Sequence, residues 1–150
     1  MIFDRTIEDI NAAISIRADK VQKGVKLTES DIIALERGTL TYNTLNRIEN
    51  KQEELKNLFY NMGYMTETII NKLWDNSGIY SQAEFDRLIE NTEKLKRAFF
   101  VYLDTPIIPN NNYRQYNTMN AVEKILYDVD VMINDIKSHY RICGVAVCGE

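Results

Sequence analysis

His139, flanked by Tyr140 and Arg141, is the chain's single imidazole and its one ready candidate for acid–base chemistry. No nucleophile signature stands near it in sequence, so it reads as a solvent-facing or cap-region histidine. Asp128, Asp130 and Asp135 crowd one stretch, but the glycine and terminal glutamate of a calcium loop are missing. They read as the wet face of a helix, as do Glu49, Glu53 and Glu54 paired with Lys51 and Lys56. Cys143 and Cys148, with one histidine, do not fill a tetrahedral metal shell. An extended tail holds them too far apart to pair unless Gly144 makes a tight turn, so they read as free thiols in a reducing compartment. Phosphate-cradling glycine loops, G-x-S-x-G and H-E-x-x-H are all missing from the sequence. The expectation is a protein that is not an enzyme and takes no metal and no cofactor.

The composition narrows the partners. A net charge of −4 and a pI near 5.1, with basic residues interleaved among acids, argue against nucleic acid, which needs a positive footprint. No apolar run approaches the roughly 20 residues of a membrane span, and Met1-Ile2-Phe3 runs directly into Asp4-Arg5, unlike a secretory signal. A chain of 150 residues, 45% hydrophobic and 27% charged, is expected to form one domain with its own core.

The elements that would position any site are helical. Leu45, Ile48, Gln52, Leu55, Phe59 and Met62 recur at steps of three and four, predicting a helix over about Tyr42–Met62 with Thr41 as N-cap and Gly63 as terminator. Before it, the spacing predicts a helix over Thr6–Lys23, with Ile7, Ile10, Ile14 and Val21 as its buried stripe and Gly24 at its end. A short helix capped by Thr28 follows, with Ile32 and Leu35 inward and Gly38 closing it. Residues 63–80 read as a mostly extended connection, with Trp74 plugging the end of the core. Ser81-Gln82-Ala83-Glu84 is a capping box opening a helix that carries Phe85, Leu88, Leu95, Phe99 and Tyr102, with Thr92 in the gap. Pro106 and Pro109 impose a loop over about 104–116, in which Tyr113 and Tyr116 are candidate contact aromatics. The last helix, about Thr118–Arg141, carries Val122, Ile125, Val129, Met132, Ile136 and Tyr140. Residues 142–150, with Val145 and Val147 flanked by glycines, read as a short extended arm. The expected fold is all-α: an antiparallel bundle of three long helices plus short N-terminal helices over 1–141, with the arm over 142–150.

The order of several short motifs resembles a structural domain of tail-fibre and baseplate-associated proteins from phages and prophages of Firmicutes. These motifs are Asp4-Arg5-Thr6 with Asp9, Leu45-Asn46-Arg47-Ile48-Glu49, and Leu73-Trp74 before the Ser81-capped helix. Thr105-Pro106 with Pro109, Val122-Glu123-Lys124-Ile125-Leu126 with Asp128-Val129-Asp130, Tyr140 through Gly144, and Cys148-Gly149-Glu150 follow in register. The resemblance implies a non-catalytic virion protein, made in the bacterial cytoplasm and placed in the phage tail. It would dock on other tail, baseplate or fibre proteins as a homo-oligomer, a trimer by the symmetry of tails. It carries no catalytic residues to transfer. Asn46, Arg47 and Glu49 are then candidate interface residues pointing outward or to a neighbouring subunit, with Arg47 on a carboxylate. Val145 and Val147 would add a strand to a neighbour's sheet. The alternatives are a carbohydrate- or receptor-binding module using Tyr113 and Tyr116, and a small helical regulatory or assembly protein.

Overall fold

The computed structural model describes residues 1–75, 81–109 and 115–147, with side chains as far as 139. Every regular element among them is helical: α1 (Ile7–Ile16), continued by one π-helical turn at Arg17–Val21, then α2 (Glu29–Gly38), α3 (Tyr42–Asn61), α4 (Gln82–Ala98) and α5 (Tyr116–Val147). The chain is all-α, as its periodicity predicts.

The starts of these helices are written locally. Thr6 with Asp9, Thr28 with Asp31 and Ser81 with Glu84 form reciprocal capping boxes, and the Thr41 hydroxyl accepts from the Thr44 N–H. Such caps are each worth about 1 kcal/mol. Gly24 and Gly63 leave their helices at φ of 67° and 79°, where an L side chain is strained.

Gly38 has a different reason. A Cβ there would lie 2.1 Å from the Asp9 carbonyl oxygen and 2.5 Å from the Ala13 Cβ, so this glycine lets α2 press against α1. Thr39 closes the helix instead, its N–H and its hydroxyl both donating to the Leu35 carbonyl, at 2.9 and 2.6 Å. Because α1 meets α2 through Ala13 and Gly38, the expected α1 stripe is not buried. Ile7 is 51% exposed, Ile14 58% and Val21 47%, and Ile32 on α2 is 49% exposed. Ion pairs complete the seam between the two helices: Arg37 with Asp9 at 3.0 Å and Lys20 with Asp31 at 2.7 Å.

The Lys20 ammonium, with Thr28 behind it, lowers the Asp31 carboxyl from 3.8 to about 2. The folded value lies below the unfolded one, so the ionised form stabilises this helix pair fully above about pH 4. That contribution is lost as the pH falls from about 4 towards 2. The protection of the α2 amides from hydrogen exchange, relative to the intrinsic rate at each pH, is expected to fall over that window, and Asp31→Asn to flatten the pH response while weakening the pair at neutral pH. An unaltered response in the variant would remove Asp31 from the acid transition.

The main core lies among α3, α4 and α5, which contact one another pairwise. Leu45, Ile48, Leu55 and Phe59 meet Phe85, Leu88 and Leu95, and both sets meet Val122, Ile125, Leu126, Val129 and Ile133. Burying each such side chain is worth about 1.5–3 kcal/mol. Residues 64–75 form neither helix nor strand, yet Ile69 and Trp74 are buried in them, and Thr105 and Ile108 are buried in the loop after α4. The remainder of both connections, 76–80 and 110–114, lies outside the described residues. α4 stops at Ala98, and Phe99 turns extended to pack on Phe59 and Tyr64 at centroid distances of 5.4 and 5.1 Å. Phe99 and Tyr102 are therefore beyond the helix, not on it.

The arm expected over 142–150 is corrected as far as Val147, because α5 continues through it. A lone Gly144 costs a helix only about 1 kcal/mol, and propagation adds a hydrogen bond per residue without a new nucleus. Val145 and Val147 thus stand on helical backbone, while residues 148–150 lie outside the described residues.

Candidate functional site

The motif Leu45-Asn46-Arg47-Ile48-Glu49 sits at the N-terminal half of α3, and its polar members face into the chain. Glu49 is 2% exposed rather than outward. Its Oε1 accepts from the Trp74 indole N–H at 2.7 Å and from Arg87 Nη2 at 2.6 Å. Its Oε2 takes Arg87 Nη1 at 3.2 Å and the backbone N–H of Lys72. One turn earlier, the Asn46 amide pairs with the backbone of Trp74 in both directions, at 2.8 and 2.9 Å. Together these two side chains clamp the irregular connection to α3.

Arg47 does hold a carboxylate, and that carboxylate belongs to α5 of the same chain. Glu123, wholly buried, accepts from Arg47 Nη2 at 3.0 Å, from Arg5 Nη2 at 2.6 Å and from the Ile2 N–H at 2.5 Å. Asn120, one turn before, accepts from the Arg5 N–H at 3.2 Å and donates to the Arg5 carbonyl at 2.9 Å. The N-terminal segment, α3 and α5 therefore converge on a single carboxylate. A guanidinium pair on one anion suits such a site, because charge and hydrogen-bond geometry are satisfied together.

Two further polar locks run through the core. Gln52 donates to the Leu88 carbonyl and to Thr92 Oγ1, both at 2.9 Å, and Asn91 donates to the Ile70 carbonyl at 2.9 Å. Thr105 donates to Asp128 at 2.9 Å, and Lys124 also bonds that carboxylate. Asp128 is 2% exposed, a correction to its reading as part of a wet helix face. Asp130 pairs with Lys51 at 2.9 Å, and Asp135 accepts from the Tyr102 hydroxyl at 3.2 Å. The exposed His139 has its Nδ1 2.7 Å from the Asp135 carbonyl oxygen. Among the described residues, no group of three His, Cys, Asp or Glu side chains is placed to hold a metal. No described helix is long and apolar enough to cross a membrane.

Tyr116, half-buried, lines a cleft of about 370 Å³ between the α1–α2 pair and the main core, with Arg5, Arg37, Leu40, Phe85 and Met119. The guanidinium of Arg37 on its wall is engaged by Asp9 and Asp4, and that of Arg5 by Glu123. Tyr113 lies outside the described residues. The side chains of Val145 and Val147 are likewise outside them.

Sequence reasoning missed the partners rather than the motif. Glu123 stands between Val122 and Lys124 but at steps of four and three from Met119 and Leu126, inside the apolar face. An acid at an inward register position was the readable signal. Arg5, Asn46, Arg47, Glu49, Trp74, Thr105, Glu123 and Asp128 all belong to the short motifs singled out in the sequence, and within the structure they bond to one another or to nearby backbone. Comparison with family models, with curated proteins and with solved structures returned no match.

Proposed function

We propose that this chain is a non-catalytic structural part of a phage or phage-like tail, an attachment component of the baseplate or fibre. It would work by docking on other tail proteins and by self-association, threefold or sixfold symmetry being that of the tail. In this reading α3, α4 and α5 form an antiparallel bundle that serves as a rigid body, and the α1–α2 pair is the part that engages partners. The observation that carries it is the apolar surface of that pair: Ile7, Ile14, Val21, Val25, Ile32 and Ile33 are each between 47% and 58% exposed. Exposed branched aliphatic side chains on α1, on α2 and on the segment between them favour this part of the chain as an association surface. The buried ion pairs add support, since charges fixed on one another favour a single shape over chemistry at a site.

Quantitative mass spectrometry of gradient-purified particles from an induced lysate of the source strain tests the proposal. Peptides of this chain at a fixed ratio to the tail-tube protein, in a copy number divisible by three, are expected. Absence from intact particles would reject the structural role. The rival reading, recognition of host-surface carbohydrate, draws on Tyr116 in the cleft. It requires glycan-array binding that a Tyr116→Ala variant loses.

A further inference from the structure

The α1–α2 pair is attached to the rest of the chain without sharing its core. Among the described residues, the hydrophobic cluster built by α3, α4 and α5 takes no side chain from 7–38. Ala13, the buried apolar side chain of the pair, is sealed against Gly38 of the same pair.

Two junctions hold the pair instead. On the N-terminal side, the Arg5 backbone exchanges hydrogen bonds with Asn120 and its side chain holds Glu123, whereas Thr6 already belongs to the cap of α1. On the other side, Thr39 closes α2 while Leu40 packs on the core. Thr6 and Thr39 are both extended, at φ of −122° and −131°, so no helix crosses either junction. Two such attachment points define one axis of rotation, and Arg5, Thr39 and Leu40 all border the cleft beside it.

Across that cleft of about 370 Å³, Ile10 on the pair stands opposite Phe85, Tyr116 and Met119 on the core. Asn43 reaches Glu36 at 3.5 Å, the limit of hydrogen-bond range. Arg37 reaches the Asp4 carboxylate at 3.4 Å and the Asp4 carbonyl at 3.3 Å. Because Asp4 precedes the anchored Arg5, this contact joins the pair to the fixed side of the junction. The Asp4 side chain is 71% exposed. An ion pair so open to water shifts an equilibrium about fivefold at most.

We propose that the α1–α2 pair is a hinged flap, turning as one body about the axis through the Arg5–Thr6 and Thr39–Leu40 junctions and changing the width of the cleft. Arg37 on Asp4 is the latch that holds it where it stands. The pairs of Arg37 with Asp9 and Lys20 with Asp31 lie inside the flap and turn with it. The motion goes beyond the tail-component reading and does not depend on it.

Distances between spin labels supply the test, in the full chain with Cys143 and Cys148 replaced by serine. Labels on Ser15→Cys in α1 and Asn57→Cys in α3, both exposed positions, report flap against core. Ser15→Cys with Glu29→Cys is the control within the flap, and Asn57→Cys with Asp86→Cys the control within the core. Ser15 stands about 14 Å along the helix from Thr6, so a turn of about 15° moves it about 4 Å. The flap-to-core distribution is expected to be roughly twice as broad as either control. Asp4→Lys sets two cations together and is expected to shift the balance within that distribution about fivefold. High salt is expected to move the chain with Asp4 intact in the same direction, because it screens the latch. A flap-to-core distribution as narrow as the controls, or one indifferent to Asp4→Lys, overturns the proposal. Equal broadening of the control within the flap would mean that α1 frays and does not turn as a body, which overturns it too. Absence of the chain from particles bears on the tail reading alone and leaves this result as it is.

Discussion

Glu123→Ala is expected to cost the protein about 3–5 kcal/mol, as the loss of one partner from a buried ion pair does. For a chain of this size that is a fall in Tm on the order of 10 °C. The carboxylate is wholly buried and receives two guanidinium groups and a backbone N–H. Its removal strands Arg5, whose side chain is only 5% exposed, with an uncompensated charge in the interior. Arg47, at 29%, can turn partly to water and suffers less. The asymmetry makes the series informative. Arg47→Ala is expected to cost less than Arg5→Ala, and Glu123→Gln less than Glu123→Ala, because the amide keeps an acceptor for one donor. Replacing Arg5, Arg47 and Glu123 together by apolar residues of similar volume should recover most of the loss, since the charges are then no longer desolvated. Urea unfolding followed by circular dichroism reads all of these. A change below about 1 kcal/mol in Glu123→Ala would mean that water reaches the site and screens it.

The same cluster explains what was legible in the chain and what was not. Caps at Thr6, Thr28, Thr41 and Ser81 involve residues three apart, so their chemistry is visible in any short window. The α3 stripe was legible too, whereas the hydrogen bond that joins its Gln52 to Thr92 across the core was not. Acids on helices were misread because their partners are remote in sequence. Glu123 waits for Arg5, 118 residues away, Glu49 for Arg87 at 38, and Asp128 for Thr105 at 23. A helix pattern reports which face is apolar and is silent on which charges another segment will bring. The α1 stripe failed for the converse reason. Its isoleucines show the right period, but Ala13 and Gly38 decide which face α2 covers, and steric access of that kind is a tertiary fact. At the C-terminus, two valines between glycines suggested an extended arm, and the continuing helix overrode their propensity.

Glu49→Ala is expected to free the connection before α4 and to be read directly by the chain's one tryptophan. Trp74 is 4% exposed, its indole N–H bonded to Glu49 and its ring beneath the Lys72 ammonium, 4.5 Å from the ring centroid. Removing the carboxylate leaves the indole N–H without this acceptor, Arg87 without its ion pair and the Lys72 N–H without its bond. The expected loss is again about 3–5 kcal/mol, with emission shifted to the red and greater access to acrylamide. Trp74→Phe is the control: it removes one donor and some volume but leaves the Glu49–Arg87 pair, and should cost about 1–3 kcal/mol. Asn46→Ala loosens the same backbone without touching the charge, so it should raise quenching with a smaller loss of stability. If emission in Glu49→Ala stays blue and quenching stays low, apolar packing of Ile69 and Trp74 holds the connection, and the carboxylate serves only to neutralise Arg87. If emission shifts while the helical signal persists, the motif on α3 is a clasp. The three long helices then fold without it, and the Trp74 connection depends on one buried acid for its path across them.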